Sequence, residues 1–198
     1  MHSNDDLFGL VLAGGKSSRM GRDKSTLSYH SQIQQRRVAH QLLMMFCKAA
    51  YISCRAEQEH ITQDDLPYIP DKNQYGGPMN GILSAHHLHP EAAWLVIAVD
   101  LPHVKASTIE TLVGARNPEK MATAYATHST GLPEPLAAIW EPQGLISAEE
   151  HLQHQKGNCP RKLLLKSDIQ LVYPDDDLEL FNANYPEDYY KAKNYFIP

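Results

Sequence analysis

The chain has few cysteines, no long apolar run and no excess of positive charge. Cys47, Cys54 and Cys159 form no C-x-x-C pair, so a disulfide framework is not expected and reduced thiols are. No segment approaches the about 18 apolar residues that a membrane span needs. The formal net charge of -5 argues against a general nucleic-acid or membrane-surface binder.

The first residues, MHSNDDLFGLVLAGG, carry acids where a secretory signal has lysine or arginine. We therefore expect a cytoplasmic protein. No internal repeat or low-complexity linker divides the 198 residues, which are enough for one sizeable core. Residues 1–198 are predicted to form a single domain, with residues 1–6 as a disordered N-terminal segment.

Short apolar segments alternate with segments of helical periodicity. The strand-like segments are Leu7–Ala13, Ala49–Cys54, Trp94–Asp100, Met121–Thr127, Leu136–Trp140 and Ile169–Pro174. The helix-like segments are residues 33–47, 78–88 and 105–115. This alternation predicts an α/β fold with three layers, in which helices cover both faces of a Rossmann-like, mostly parallel sheet. Ligands then bind beyond the carboxyl ends of the strands.

Two features of these segments predict which side chains are buried. The first helical segment places four apolar residues on one face, with Arg36 and Arg37 outward, and the expected buried residues are Val38, Leu42, Met45 and Phe46. Trp94 and Trp140 lie on strand-like segments and are expected in the core. The histidines at positions 86, 87, 89, 151 and 154 are predicted to be surface residues, because no cysteine or carboxylate completes a tetrahedral metal site with them.

Glycines and basic residues follow the first strand in LAGGKSSRMGRDKS, residues 12–25. Gly14 and Gly15 allow main-chain N–H groups to approach a phosphate. Arg19 and Lys24 supply positive charge for the same anion. The segment matches neither the P-loop pattern G-x-x-x-x-G-K-[ST] nor the dinucleotide fingerprint G-x-G-x-x-G. It therefore predicts a phosphate site of a different kind.

This segment resembles the signature L-A-G-G-x-S-x-R-M-G-x-D-K of the molybdenum cofactor guanylyltransferase family, within the nucleotidyltransferase group. Every specified position matches. The resemblance implies one nucleotidyltransferase domain that transfers GMP from GTP to the terminal phosphate of molybdopterin and releases pyrophosphate. It also implies that Lys24 contacts the triphosphate and that four residues hold base and phosphates, namely Leu12, Ala13, Gly14 and Gly15.

Two aspartates are candidate site residues. Asp100 ends the apolar run WLVIAVD, where a hard carboxylate oxygen can hold Mg²⁺ or, alternatively, cap a helix or turn. Asp71 precedes a glycine turn and is as suited to a turn as to a ligand. The resemblance makes Asp100 the magnesium ligand and assigns both aspartates to nucleotide binding.

Two further segments extend the resemblance. In ISCRAEQ, Cys54 stands where the family commonly has an asparagine near the nucleotide, which leaves the identity of the base open. LFNANYPEDYYKA resembles the family motif N-x-N-T-P-E-D, with Tyr185 in place of threonine. Asn182 and Asn184 are candidate acceptor or active-site contacts, and Pro186 with the following acids also fits a helix start.

The expected mechanism aligns two anions without a general base, because a phosphate monoester is largely dianionic at neutral pH. Gly14, Gly15, Arg19 and Lys24 hold the triphosphate, Lys24 stabilises the leaving pyrophosphate, and Asp100 binds Mg²⁺. The alternatives are CTP as substrate, a sugar-phosphate acceptor, or a non-catalytic GTP-binding relative. Expected partners are GTP, molybdopterin, and other cofactor-biosynthesis proteins or recipient molybdoenzymes, with no nucleic acid and no membrane.

Overall fold

The computed structural model describes residues 6–14, 26–29, 33–55, 57–58, 65–154 and 158–194. Its strands are β1 (Leu7–Leu12), β2 (Ala49–Cys54), β3 (Tyr68–Pro70), β4 (Ala93–Ala98), β5 (Ala122–Ala126), β6 (Pro133–Trp140) and β7 (Gln170–Val172). Its α-helices are α1 (Gln35–Met44), α2 (Pro78–Leu88), α3 (Ala106–Gly114), α4 (Pro142–His154), α5 (Pro160–Leu164) and α6 (Pro186–Asn194). A 3₁₀ helix covers Asp177–Leu180. No helix within these ranges is long and apolar enough to span a membrane.

The seven strands form one sheet in the order β3-β2-β1-β4-β6-β5-β7. Strands β1 to β4 pair in parallel, β6 is antiparallel to β4 and to β5, and β7 is parallel to β5. The prediction of a mostly parallel sheet is confirmed. Because β1 to β4 run in the same direction, their carboxyl ends lie at one edge of the sheet.

Helices cover both faces of the sheet, which confirms the predicted three layers. On one face, Leu43 of α1 and Ile109 of α3 pack with Leu95 of β4. On the other face, helices α2, α4 and α5 pack against Trp94 and Trp140. Both tryptophans are completely buried, as predicted. All six residues of β4 are buried, as expected for a central strand covered on both sides.

The buried face of α1 differs from the prediction. Arg36 is 4% exposed whereas Met45 is 67% exposed, so the outward position predicted for Arg36 and the buried position predicted for Met45 are wrong. A Cβ added to Gly9 of β1 would lie 2.9 Å from Leu43 Cβ. The helix therefore approaches β1 closely through Leu43, which turns a different stripe inward, namely Gln35, Arg36, Ala39, His40 and Leu43.

A buried ion pair joins elements at the opposite, amino end of β1. The Arg116 guanidinium donates to both carboxylate oxygens of Glu141, each at 2.8 Å. It also donates to both oxygens of Asp6, at 2.9 and 3.0 Å. The segment after α3 is thereby linked to the end of β6 and to the residue before β1.

Replacing Arg116 by leucine should destabilise the fold strongly, because Glu141 would remain buried without its charged partner. We expect a loss of about 3–5 kcal/mol in the free energy of unfolding, as for other broken buried pairs, measured by urea denaturation. Lys120→Ala is the matched control, since it breaks an ion pair with the exposed Asp168 and should cost no more than about 1 kcal/mol. Equal losses in the two variants would contradict a structural role for the buried pair.

Candidate functional site

The carboxyl edge of the parallel strands brings together three of the predicted segments. Gly14 follows β1, Asp71 follows β3, and Asp100 lies two residues beyond β4. The Val99 N–H donates to the Leu12 carbonyl at 3.2 Å, which joins the ends of β1 and β4. The predicted phosphate-loop residues Gly15, Arg19 and Lys24 lie outside the described residues.

Asp71 is held against the ends of β1 and β2. Its Oδ1 accepts a hydrogen bond from Ser53 Oγ at 2.8 Å, and its N–H donates to the Cys54 carbonyl at 2.8 Å. Burial raises the pKa of Asp71, although hydrogen bonds from Ser53 and Asn80 act to lower it. A Cβ added to Gly14 would lie 2.8 Å from Asp71 Oδ2, so only glycine at this position leaves the carboxylate in place.

Helix α2 approaches the same carboxylate from one face of the sheet. A Cβ added to Gly81 would lie 2.3 Å from Ser53 Oγ and 3.2 Å from Asp71 Oδ1. Asn80 organises the loop that leads into this helix, because its Oδ1 accepts from the N–H groups of Gln74 and Tyr75 at 3.1 and 3.2 Å. Loop and helix together fix the position of Asp71.

The structure places the Cys54 thiol in the core cluster that contains Val11 and Ile52. Burial raises the pKa of this thiol to about 11, and the charge of Asp71 adds to the effect. Side chains alternate along a strand, so Ser53 is the residue of β2 that contacts Asp71. The contribution of Cys54 to the edge is its main-chain carbonyl, and the sequence pattern did not single out Ser53.

Gln58 is another residue that the sequence did not indicate. It is buried, and its Nε2 donates to the Ala13 carbonyl at 3.0 Å. Its Oε1 accepts from the Arg55 N–H at 2.9 Å, while the Ala13 N–H donates to the Ser53 carbonyl at 3.0 Å. These contacts fix the backbone where β1 ends and the phosphate-loop sequence begins. A lone glutamine after a strand carries no signal of such a role.

The segment that carries both candidate asparagines is attached to Asp100, two residues beyond β4. The Ala183 N–H, between Asn182 and Asn184, donates to the Asp100 carbonyl at 2.8 Å. The Asn184 N–H donates to Asp188 Oδ2 at 3.1 Å, and α6 begins at Pro186. The helix-start interpretation of this motif is therefore confirmed, and both asparagines are brought to the edge where Asp100 lies.

Glu134 and Arg161 form a second charged group beside Asp100. Antiparallel pairing of Ile97 with Ala137 brings the start of β6 towards the end of β4. Burial raises the pKa of Glu134, the charge of Arg161 lowers it, and the charge of Asp100 raises it. Arg161 donates to Glu134 Oε2 at 2.7 Å and to the Pro133 carbonyl at 2.9 Å. Residues distant in sequence meet here, so no local motif indicated the pair.

The clustered histidines of α2 do not share one environment. His86 is buried, which contradicts its predicted surface position, and His89 stacks on Phe8 with ring centroids 4.7 Å apart. His87 Nε2 lies 2.8 Å from Glu149 Oε1, which also accepts from the Tyr75 hydroxyl at 2.8 Å. Within the described ranges, no group of three or more His, Cys, Asp or Glu is arranged to hold a metal ion.

Comparison with known proteins identifies the family. Residues 9–170 match a family model described as the MobA-like NTP transferase domain. The chain belongs to the MobA-like NTP transferase family. The matched range contains β2 to β6, most of β1 and both aspartates of the site, and the assignment confirms the predicted nucleotidyltransferase class.

Relatives of the MobA-like chain agree with this assignment. It is 36% identical over 188 residues to a molybdenum cofactor biosynthesis bifunctional protein of Synechocystis, of whose length it spans 54%. It is 32% identical over 190 residues to a probable molybdenum cofactor guanylyltransferase of Opitutus terrae, covering 92% of each chain. The structure of molybdopterin-guanine dinucleotide biosynthesis protein A from Archaeoglobus fulgidus has the same fold, with a TM-score of 0.78 at 20% identity over 95% of this chain and 97% of that chain.

Gly81→Ala should destabilise the MobA-like domain, because the new methyl group would overlap Ser53 Oγ. We expect a loss of about 1–3 kcal/mol in the free energy of unfolding, measured by chemical denaturation. Gly114→Ala is the control. No atom of the described residues lies within 4 Å of a Cβ added at this helical glycine. This substitution should stabilise the fold by about 0.5–1 kcal/mol. A neutral Gly81→Ala would show that the helix can shift without cost.

Asp71→Asn should change how stability depends on pH. Burial raises the pKa of Asp71, so the folded state binds this proton more tightly than the unfolded state. The wild type therefore loses stability as pH rises from the ordinary aspartate range through the raised pKa. The amide does not titrate, so the melting temperature of Asp71→Asn relative to the wild type should increase between pH 4 and pH 7.

Asp177→Asn supplies a control of opposite sign. Although desolvation acts to raise the pKa of Asp177, hydrogen bonds from the N–H groups of Ser129 and His128 lower it. The melting temperature of Asp177→Asn relative to the wild type should fall as pH rises through that lowered pKa. The same trend in both variants would contradict the assignment of the Asp71 effect to burial.

Proposed function

We propose that this chain transfers GMP from GTP to the terminal phosphate of molybdopterin, giving the guanine dinucleotide form of the cofactor and pyrophosphate. The observation that carries the proposal is the partly buried Asp71 carboxylate beside Gly14, where the family's signature loop begins. The name of the Opitutus relative, which this chain matches over 92% of its length, supports the same reaction. A cytoplasmic location belongs to this proposal.

The chemistry of Asp71 supports guanine as the base. An ionised carboxylate only accepts hydrogen bonds, and Ser53 already donates to its Oδ1. Guanine presents adjacent N1–H and N2–H donors, whereas the corresponding edge of cytosine has one donor and two acceptors. A site that keeps a buried acceptor discriminates against a base that leaves it unpaired. Ser53 orients this carboxylate, whereas the family pattern had pointed to the neighbouring Cys54 as the residue near the nucleotide.

The residues near Asp100 fit a magnesium ion. Mg²⁺ favours hard oxygen ligands and is commonly bound by one or two carboxylates together with substrate phosphates. Asp100 supplies one such carboxylate, and its main chain is fixed by Ala183. When bound, Mg²⁺ lowers the repulsion between the attacking phosphate and the α-phosphate of GTP. Arg19, Lys24 and the N–H groups around Gly14 and Gly15 bind the remaining triphosphate charge.

We place molybdopterin, the acceptor of GMP, on the side of Asp100 where Glu134 and Arg161 lie. Arg161 lies at the surface, with 46% of its side chain exposed, so it can meet an incoming phosphate while Glu134 orients its guanidinium. Asn182 and Asn184 border the same region and supply neutral amide groups for the pterin or its phosphate.

The reaction exchanges one phosphoric anhydride bond for another. An oxygen of the molybdopterin phosphate forms a bond to the α-phosphorus of GTP, and the bond from that phosphorus to the β-phosphate oxygen breaks. The bonding electrons leave with pyrophosphate, whose charge Lys24 stabilises. No proton must be removed from the nucleophile, because the phosphate monoester is already largely dianionic at neutral pH. The protein aligns the groups and disperses charge.

Pyrophosphate release with molybdopterin tests the proposal directly. GTP, CTP, ATP and UTP are supplied in parallel with Mg²⁺, and we expect release with GTP only. Release with CTP only would overturn the role of Asp71 in base selection. Tight binding of GTP without release in the presence of molybdopterin would indicate a different acceptor or a non-catalytic relative.

Asp100→Asn in the same assay tests the metal role. We expect a loss of about 10²-fold or more in turnover, as for removal of one preorganised charge contact. Lys24→Ala should lose activity to a similar extent. Asp176→Asn is the control. Asp176 lies on the surface, and among the described residues its side chain accepts a hydrogen bond only from the Leu178 N–H. The turnover of this variant should be close to that of the wild type.

A further inference from the structure

Tyr29 is a buried polar residue that the reaction described above does not use. Its side chain belongs to a small apolar cluster with Leu27, Ala183 and Ala192, and its ring packs on Tyr189 with centroids 5.2 Å apart. The residue is 3% exposed. Among the residues that the structure describes, its hydroxyl is buried and has no hydrogen-bond partner.

The cluster around Tyr29 adjoins Asp100. Ala183, which packs in the cluster, donates its N–H to the Asp100 carbonyl at 2.8 Å. Burial raises the pKa of Tyr29, and the negative charges of Asp100 and Asp188 add to the effect. The cluster that holds Tyr29 is thus joined to the main chain of Asp100 through Ala183, and the charge of Asp100 acts on the Tyr29 hydroxyl.

The second carboxylate near Tyr29 is already engaged in capping α6. Asp188 Oδ2 accepts from the N–H groups of Asn184 and Tyr185 at 3.1 and 3.0 Å. Its Oδ1 faces Lys191 Nζ at 3.8 Å. A hydrogen bond from Tyr29 to Asp188 would compete with these contacts. The charge of Asp100 also acts more strongly on Tyr29 than that of Asp188.

An unpaired hydroxyl makes tyrosine a costly residue in this cluster. Burying a hydroxyl without a partner lowers stability, and phenylalanine would pack the same ring at no such cost. A buried group of this kind in a folded protein calls for a functional explanation. The hydroxyl would contribute favourable free energy if it gained an acceptor in a ligand-bound state.

We propose that Tyr29 is a positioning residue for Asp100, and that its hydroxyl donates to the Asp100 carboxylate when a divalent cation and nucleotide bind. A donor on one carboxylate oxygen orients the other oxygen towards the cation. This inference rests on the metal role of Asp100 in the proposed function. In this role the Tyr29 hydroxyl strengthens cation binding, which packing of the ring alone would not do.

The test is Tyr29→Phe, which removes the hydroxyl and keeps the ring. Binding of Mn²⁺·GTP is measured by calorimetry without molybdopterin, so no transfer takes place, and the melting temperature is measured without ligand. We expect Mn²⁺·GTP affinity to fall about tenfold, as for loss of a hydrogen bond to a charged group. The ligand-free melting temperature should rise by about 2–4 °C, because an unpaired buried hydroxyl is removed.

Tyr189→Phe is the matched control in the same cluster. The Tyr189 hydroxyl donates to the Ser28 carbonyl at 3.1 Å, so its removal should lower the melting temperature and leave Mn²⁺·GTP affinity unchanged. The opposite responses of the two Tyr→Phe variants separate positioning of Asp100 from packing. A lower melting temperature or unchanged affinity for Tyr29→Phe would overturn the inference.

Asp100→Asn distinguishes failure of this inference from failure of the proposed metal role. If Asp100→Asn weakens Mn²⁺·GTP binding and Tyr29→Phe does not, only the inference about Tyr29 is wrong. If Asp100→Asn binds as tightly as the wild type, the metal role of Asp100 fails and the inference fails with it. In the double variant, Tyr29→Phe should add no further loss to that of Asp100→Asn, because the two residues act as a unit.

Discussion

The hydrogen bond between Ser53 and Asp71 is the interaction on which the arrangement of the candidate site depends. It holds a partly buried carboxylate at the carboxyl ends of β1, β2 and β3. The backbone of β1 and the first turns of α2 must approach that carboxylate closely, and both do so through glycine, Gly14 and Gly81. A side chain at either position would displace the acceptor group. The strand ends, the helix and the loop therefore all pack around one polar contact.

The negative charges at this edge set what the site can bind. Asp71 follows β3, Asp100 follows β4 and Glu134 lies at the start of β6, and the charge of Asp100 acts on Glu134. Such a group of carboxylates is unfavourable for a polyanionic nucleotide unless cations accompany it. Arg161 supplies one within the described residues. The basic signature loop and a divalent cation are the other sources in the proposed mechanism, which therefore requires nucleotide and metal to bind together.

The two ends of the parallel strands have different roles, one in stability and the other in ligand binding. Near the amino end of β1, Arg116 is fully committed to Glu141 and Asp6, which joins elements and leaves its charge compensated. Beside the carboxyl edge, the Tyr29 hydroxyl is buried and has no hydrogen-bond partner among the described residues. This division is typical of open α/β sheets, in which packing and ion pairs stabilise one region and ligands bind at the other.

The sequence by itself determined the layered fold, the family and the places of Gly14, Asp71 and Asp100, because apolar periodicity and turn residues act locally along the chain. It placed Trp94 and Trp140 in the core, and α2 begins and ends where the Pro78 signal and its periodicity indicated. Only the tertiary structure decided that Ser53 rather than Cys54 faces Asp71, that α1 is rotated over Gly9, and that Glu134 meets Arg161 beside Asp100. Each of these depends on strand register and the approach of distant segments, which no local pattern encodes.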